Sequence, residues 1–248
     1  MLNLCYSFHL ETLLIRILAL QILRNYMINL EINSFSSETI DQSIDDIAQE
    51  LFRNFKLQVN ESFYRLIDIE FYYYAEGLHE DIYAHQHQAQ LESAKWYFHG
   101  SGIDITFGNG KHFGGMLIRA IAKVSPEGEK SRYFIEKEIH GPLNVKTEVC
   151  RNLNGVFEDA PNVFRLIDIS RDRHGALMVE PEYLIKTRRI GLNPDKEITD
   201  KFFSKKHRFV IFPNLKLKNK TQIALDMKAM YPHLDNEAIN KALGSKFL

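Results

Sequence analysis

The clearest hydrophobic pattern in the chain is residues 65–74, "RLIDIEFYYY", where branched aliphatic residues alternate and aromatic residues crowd the end. This pattern predicts a strand. Glu70 lies where the aliphatic run turns aromatic, and three histidines follow it at positions 79, 85 and 87. An isolated acid in a strand is most often a solvated residue on an edge strand. A carboxylate flanked by rings and imidazoles also suits a pocket that grips a planar, electron-poor ring and activates a water beside it.

The surrounding pattern predicts further helices and strands. Helix-start residues 36–38 precede apolar positions at helical spacing, which predicts a helix ending near Phe55. A short strand at 56–59 then turns back into the Glu70 strand. Other predicted strands cover residues 96–98, 103–107, 114–124, 163–169, 177–180, 188–191 and 206–211. Predicted helices cover His140–Leu153, Lys216–Met230 and Asn236–Leu243.

The two ends of the chain differ in character from its middle. Residues 10–23 are apolar but are interrupted by Arg16, too short for a membrane span, and without the features of a signal peptide. We interpret residues 1–26 as an N-terminal extension, either upstream reading frame or a docking helix. Residues 27–213 form the main domain, and residues 214–248 form a helical C-terminal extension. The extension is expected to pack on the core through Leu225, Met227, Leu234, Ile239 and Leu243.

Composition restricts the function classes. The 248 residues are 45% hydrophobic and 12% aromatic, enough for a sizeable core, and the two cysteines form no Cys-x-x-Cys motif. That usage favours a reducing compartment and argues against a zinc ribbon or a disulfide scaffold. The formal net charge of −1 lacks the basic excess typical of nucleic-acid binders.

Charge is distributed unevenly along the chain. Residues 31–92 hold thirteen acidic and three basic residues, whereas residues 186–220 hold eleven basic and three acidic ones. This asymmetry fits a dipolar molecule with one face toward a polyanion, and it fits equally well two ordinary solvated faces.

Four blocks in order resemble the single-domain alkyladenine (3-methyladenine) DNA glycosylase family. They are "RLIDIEFYY" followed by His85, "GGMLIRAIA", "HGPLNV", and the closing pair "RRIGL" and "KKHRFVI", which together cover roughly residues 40–212. The resemblance implies an α+β fold, with a single mixed, mainly antiparallel curved sheet, flanking helices and the helical C-terminal extension. It also implies a monomeric enzyme that needs no cofactor or metal, binds double-stranded DNA and not membranes, and is cytoplasmic, or nucleoid-associated in a bacterium.

The resemblance also assigns roles to residues. Glu70 would be the general base that activates water, Arg119 would hold that water and Glu70, and the Ile190 carbonyl would be a third water ligand. Tyr72 and His85 would sandwich the extruded base. The remaining candidates are Trp96 and Thr106 in the pocket wall, His99 and Phe98 as the wedge inserted into the duplex, and Arg188, Arg189, Lys205, Lys206 and Arg208 as contacts to the DNA backbone.

Some residues depart from the family pattern. Thr106 stands at the position of a family asparagine, His99 replaces the wedge tyrosine, and Asp104 adds an acid where the family is apolar. These changes point to a different damaged base, a weak enzyme, or a relative that has left glycosylase chemistry. A metal site formed by His79, His85, His87 and His99 is a further alternative.

The sequence therefore predicts a base-excision repair enzyme. It would hydrolyse the N-glycosidic bond of an alkylated or otherwise modified base and leave an abasic site. The alternative from another class is a non-catalytic nucleic-acid- or protein-binding module on the same fold.

Overall fold

The computed structural model describes residues 28–125, 135–169, 183–193 and 201–248. The predicted N-terminal extension and the predicted strand at 177–180 lie outside these residues. Within the described part of the chain, no helix is long and apolar enough to cross a membrane.

The first helix begins where the sequence predicts. The Ser36 hydroxyl accepts from the Thr39 N–H while the Thr39 hydroxyl accepts from the Ser36 N–H, a reciprocal cap on two of the helix's unpaired donors. Helix α1 (Ser37–Asn54) then buries the apolar stripe Ile40, Ile44, Ile47, Ala48, Leu51 and Phe52 against the sheet. Its end leads directly into the first strand.

Ten strands form one sheet in the described residues. They are β1 (Phe55–Val59), β2 (Ser62–Ala75), β3 (His79–Glu80), β4 (Ser93–His99), β5 (Gly102–Phe107), β6 (Phe113–Val124), β7 (Ile135–His140), β8 (Phe164–Asp168), β9 (Ile185–Thr187) and β10 (Arg208–Val210). The other helices are a 3₁₀ turn (Gln88–Leu91), α2 (Pro142–Arg151), α3 (Lys201–Ser204), α4 (Lys220–Met230) and α5 (Asn236–Leu243).

The long strand β2 is the centre of the sheet. It pairs with β6 along one edge and with β1 and β10 along the other, and the main path runs β4-β5-β6-β2-β1-β8. The ends of this path meet, because the Trp96 ring of β4 stacks on the Phe164 ring of β8 at 4.1 Å. The sheet is therefore strongly curled.

These observations confirm an α+β fold built on a curved sheet. The sequence predicted a mixed, mainly antiparallel sheet, and every pairing between the described strands is antiparallel, so only the mixed character is wrong. The prediction of a strand at 188–191 is wrong, since β9 ends at Thr187. Strand β7 lies in a stretch that the sequence pattern left as loop.

The C-terminal helices have their own apolar cluster beside the main core. It consists of Ile185, Val210, Leu217, Ile223, Ala224, Met227, Ile239 and Leu243. Three of the predicted contacts, Met227, Ile239 and Leu243, are fully buried here. The predicted contact of Leu225 is wrong, because α4 turns Ala224 and Met227 inward and leaves Leu225 49% exposed.

Candidate functional site

The candidate site lies along one row of paired residues that crosses four strands of the sheet. Tyr97 in β4 lies opposite Asp104 in β5, Asp104 lies opposite Leu117 in β6, and Leu117 lies opposite Glu70 in β2. Directly opposed residues project from the same face of a sheet. Since neighbouring strands are about 4.8 Å apart, the backbones of Glu70 and Asp104 are separated by about 10 Å. Two carboxylates therefore share one face, with Leu117 between them.

Glu70 is fully buried and is held by three donors. Its Oε2 accepts from the Tyr72 hydroxyl at 2.7 Å and from Arg119 Nη1 at 3.0 Å, and its Oε1 accepts from the Ile190 N–H at 2.7 Å. A carboxylate has about four acceptor positions. The described residues fill three of them, which leaves one on Oε1.

Burial dominates the electrostatics of this acid. Loss of hydration raises the pKa of Glu70 above its ordinary value, although the Arg119 charge opposes the change. Burial and then the Glu70 charge raise the pKa of Tyr72 well above its ordinary value, so Tyr72 stays a hydroxyl donor. The alternative of a solvated acid on an edge strand is wrong, because Glu70 lies in the central strand with 0% exposure.

The predicted site residues around Glu70 are brought together, with one change of role. Arg119 lies beside the acid, and Tyr72 contacts it directly. Ile190 touches Glu70 through its N–H, whereas the sequence predicted a function for its carbonyl. Ile190 thus positions the carboxylate in the structure.

A pocket of about 390 Å³ opens above this level of the sheet. Tyr72 and His85, the predicted sandwich pair, both line it. The other lining residues are Ile82, Tyr83, Ala84, Gln90, His99, Ser101, Asp104, Leu117, Gly191, Leu192 and Asn193. Glu70 is not one of the lining residues and is connected to the pocket through its hydrogen bond with Tyr72. The pocket therefore combines aromatic surface with one buried acid, Asp104, in its wall.

Arg189 is a structural residue, so its prediction as a DNA-backbone contact is wrong. It is 5% exposed, and its guanidinium makes a two-point ion pair with Asp81 at 2.5 and 3.1 Å. It also donates to the carbonyls of Phe71 and Phe202. The guanidinium lies 4.5 Å from the Tyr72 ring centroid. Arg189 therefore supports the ring that lines the pocket.

The other predicted backbone contacts are mostly engaged within the protein. Arg208 is fully buried and forms a two-point pair with Asp68 at 2.9 and 2.8 Å. Lys205 Nζ lies 2.7 Å from Asp41 Oδ2, and Lys206 Nζ lies 2.8 Å from Asp226 Oδ1.

The prediction of a phosphate contact is therefore wrong for the buried Arg208. It is unsupported for the two lysines, because each already has a carboxylate partner. Arg188 remains exposed and donates to Gln222 Oε1 at 2.7 Å.

Trp96 and Phe98 face away from the pocket. Their rings pack on Phe164 at 4.1 and 5.7 Å, on the side of β4 opposite to Tyr97. Alternation along a strand is the reason, because successive side chains point to opposite faces. The prediction of Trp96 in the wall of this pocket is wrong, and Tyr97 is the aromatic residue on the pocket side. The Phe98 side chain is 42% exposed, and its role as a wedge stays a prediction.

His99 and Thr106 also have roles other than those predicted. His99 is the last residue of β4 and lines the pocket, where its Nε2 lies 3.0 Å from Asp104 Oδ1, so it is not a projecting wedge. Thr106 is buried and its hydroxyl bonds the N–H and the carbonyl of Lys95, at an irregularity in the β4–β5 pairing. Asp104, two residues earlier, takes the place in the pocket wall that was predicted for Thr106.

The histidines do not form the metal site considered from the sequence. His85 and His99 gather with Tyr97 at the pocket, whereas His79 is buried elsewhere with Asp41 and His207. Among the described residues, Asp41, His79 and His207 are the group close enough to share a cation.

A lysine already occupies that group. Lys205 Nζ lies 2.8 and 2.7 Å from the Asp41 oxygens and 3.3 Å from His79 Nε2. The ammonium stands where a metal ion would bind.

Sequence reasoning missed several pocket residues. Asp104 was noticed only as a departure, and Tyr83 and Gln90 were not singled out. Asp104 lies two residues before Thr106 in β5, so the two side chains are expected on the same face of the strand, and strand periodicity therefore indicated Asp104 as a second candidate. Gln90 reaches the pocket from a 3₁₀ turn, and Asp81 meets Arg189 across 108 residues of sequence, contacts for which the sequence pattern holds no signal.

Comparison with known proteins adds little to this geometry. No protein-family model matches the chain. The chain is similar to the uncharacterized protein L759 of Acanthamoeba polyphaga mimivirus, at 27% identity over 214 residues, which covers 75% of this chain and 94% of the viral protein.

Proposed function

We propose that this protein hydrolyses the N-glycosidic bond of a damaged or modified base extruded from double-stranded DNA. The observation that carries the proposal is Glu70, a buried acid with a raised pKa that accepts a hydrogen bond from Tyr72, one of the rings that line the pocket. A buried acid with a raised pKa is a candidate proton acceptor.

The proposed reaction needs only one water. Glu70 accepts a proton from the water through the open position on Oε1, and the hydroxide forms a bond to C1′ of the sugar. The C1′–N bond breaks and its electron pair leaves with the base. A base that carries a positive charge from alkylation leaves as a neutral molecule and needs no further proton.

The walls of the pocket support a flat ligand. Tyr72, Tyr83, His85 and His99 line one cavity, and stacking of a base on such rings contributes about 1–3 kcal/mol per base. A base within a duplex reaches such a pocket only after it rotates out of the stack.

Release of abasic sites tests the proposal. Wild type and Glu70→Gln are incubated with duplexes that each contain one modified base, and strand cleavage at the abasic site is quantified. We expect release by wild type and a loss of about 100-fold or more in Glu70→Gln, the range for a general base. Glu61→Gln, in the exposed turn between β1 and β2, is the matched control and should retain the wild-type rate.

A binding module without catalysis is the second candidate, and one observation favours it. Glu70 is not one of the residues that line the pocket, and it has no exposed surface. If wild type binds the modified duplexes without releasing a base from any of them, this second function is correct. If it neither binds nor releases, both functions are wrong.

A further inference from the structure

We propose that Asp104 selects the base, and that it favours a heterocycle presenting two adjacent N–H donors, such as the N1–H and 2-amino edge of a guanine-type purine. This inference rests on the proposed function of the pocket as a base site. It concerns the wall about 10 Å across the sheet from Glu70.

The Asp104 carboxylate is buried but remains part of the pocket lining. It is 3% exposed; its Oδ1 lies 3.0 Å from His99 Nε2, and its Oδ2 accepts from Gln90 Nε2 at 2.9 Å. These two bonds fix the plane of the carboxylate. They leave about one acceptor position on each oxygen.

The two supporting side chains are themselves fixed. Gln90 Oε1 accepts from the His87 N–H, which assigns Gln90 Nε2 as the donor toward Asp104. His99 Nδ1 accepts from the Ser101 N–H, which assigns the ring proton to Nε2. Both neighbours therefore donate to Asp104, so its oxygens can act only as acceptors toward a ligand.

Gly115 provides the space for this arrangement. It lies opposite Thr106 in β5 and Tyr72 in β2, and a Cβ at this position would lie 2.3 Å from Gln90 Nε2 and 2.6 Å from Asp104 Oδ2. The absence of a side chain lets the amide and the carboxylate lie over the sheet.

The positions of Glu70 and Asp104, on opposite sides of the candidate base site, specify one orientation of a bound purine. In a purine nucleotide the sugar is attached at N9, and the N1 and C2 edge lies on the far side of the ring system. With the glycosidic bond toward Glu70, that edge faces Asp104. Two parallel N–H donors match a carboxylate, whereas a purine without the 2-amino group leaves the remaining acceptor position of one buried carboxylate oxygen unfilled.

Binding of free bases tests this specificity without requiring catalysis. The probes are 7-methylguanine and 7-methylhypoxanthine, which differ only in the 2-amino group, and affinity is measured by calorimetry. We expect wild type to prefer 7-methylguanine by on the order of 10- to 100-fold, the value of one hydrogen bond to a charged group. Asp104→Asn replaces one acceptor oxygen with a donor and should reverse the preference. Asp159→Asn, on an exposed loop, is the control and should keep it.

Each outcome decides the inference. Equal affinities in wild type, no binding of either base, or a preference unchanged in a folded Asp104→Asn protein would overturn it. Should Asp104→Asn fail to fold, the wild-type ratio alone decides. A wild type that discriminates between the free bases yet releases none from DNA supports the inference and refutes the proposed function. If base release requires Glu70 but is equally fast with and without the 2-amino group, the proposed function is supported and this inference is refuted.

Discussion

Substitution of Gly115 by alanine should damage the pocket wall more than its size suggests. The new Cβ would lie 2.3 Å from Gln90 Nε2 and 2.6 Å from Asp104 Oδ2, distances at which both side chains must move. They have little room, because Gln90 is 1% and Asp104 is 3% exposed. Overpacking costs about 1–3 kcal/mol, and loss of the Gln90–Asp104 bond costs about 1.5–3 kcal/mol. We expect a loss of roughly 2.5–6 kcal/mol in the free energy of unfolding.

Thermal unfolding measures this loss. For a chain of this size a change of 1 kcal/mol moves Tm by about 2–4 °C, so Gly115→Ala should lower Tm by roughly 5–24 °C. Gly100→Ala is the matched control, since a Cβ at that hairpin glycine meets no atom within 4 Å. A Gly115→Ala protein with the same Tm as wild type would refute the close packing of Gln90 and Asp104 over this glycine.

Three further predictions concern charge and orientation. Arg189→Met should lower the free energy of unfolding by about 3–5 kcal/mol in denaturant titrations, because it leaves Asp81 buried without its partner. Burial lowers the pKa of His207 from 6.5 to about 4. Above pH 6.5 the His207 ring is neutral in both the folded and the unfolded state. Between pH 6.5 and about 4 only the unfolded chain binds the proton, so the free energy of unfolding should decrease as the pH is lowered through this range. His207→Gln should lack this contribution to the pH dependence of the free energy of unfolding. Trp96→Phe should leave base release unchanged in the duplex assay, since this ring packs on Phe164 away from the pocket; a large loss would contradict that placement.

Local patterns predicted the fold better than the site. Helix α1 and the strands around Glu70 follow from capping residues and alternation, which are properties of neighbours in sequence. In the C-terminal half, β10 lies within the strand predicted at 206–211, whereas β9 was not predicted where it lies. Strand β9 is three residues long, and its position is fixed by pairing with β10 rather than by its local pattern.

Errors in the site came from one cause in particular. The family resemblance assigned roles to Trp96, His99 and Thr106 by their positions in the sequence, whereas strand parity and the irregular β4–β5 pairing decide which side chains face the pocket. Glu70 and Arg119 were placed together correctly because a buried guanidinium needs a carboxylate, a requirement that holds whatever the alignment.

The charge asymmetry of the sequence has a structural explanation that bears on the site. Acidic residues of the 31–92 segment pair with basic residues of the 186–220 segment; the pairs are Asp41–Lys205, Asp45–Lys186, Asp68–Arg208 and Asp81–Arg189. Four of the thirteen acidic residues and four of the eleven basic residues are therefore paired across the two segments.

These pairs also hold β9 and β10 against the central strand, which is how the Ile190 N–H comes to lie 2.7 Å from Glu70 Oε1. The hydrogen bonds that hold Glu70, the candidate general base, are therefore completed by a segment more than a hundred residues away in the sequence. Because desolvation makes each buried pair costly to break, loss of one cation should loosen the whole segment and withdraw a donor from Glu70. The ion pairs that hold the 186–220 segment against β2 therefore also determine the hydrogen bonding of Glu70.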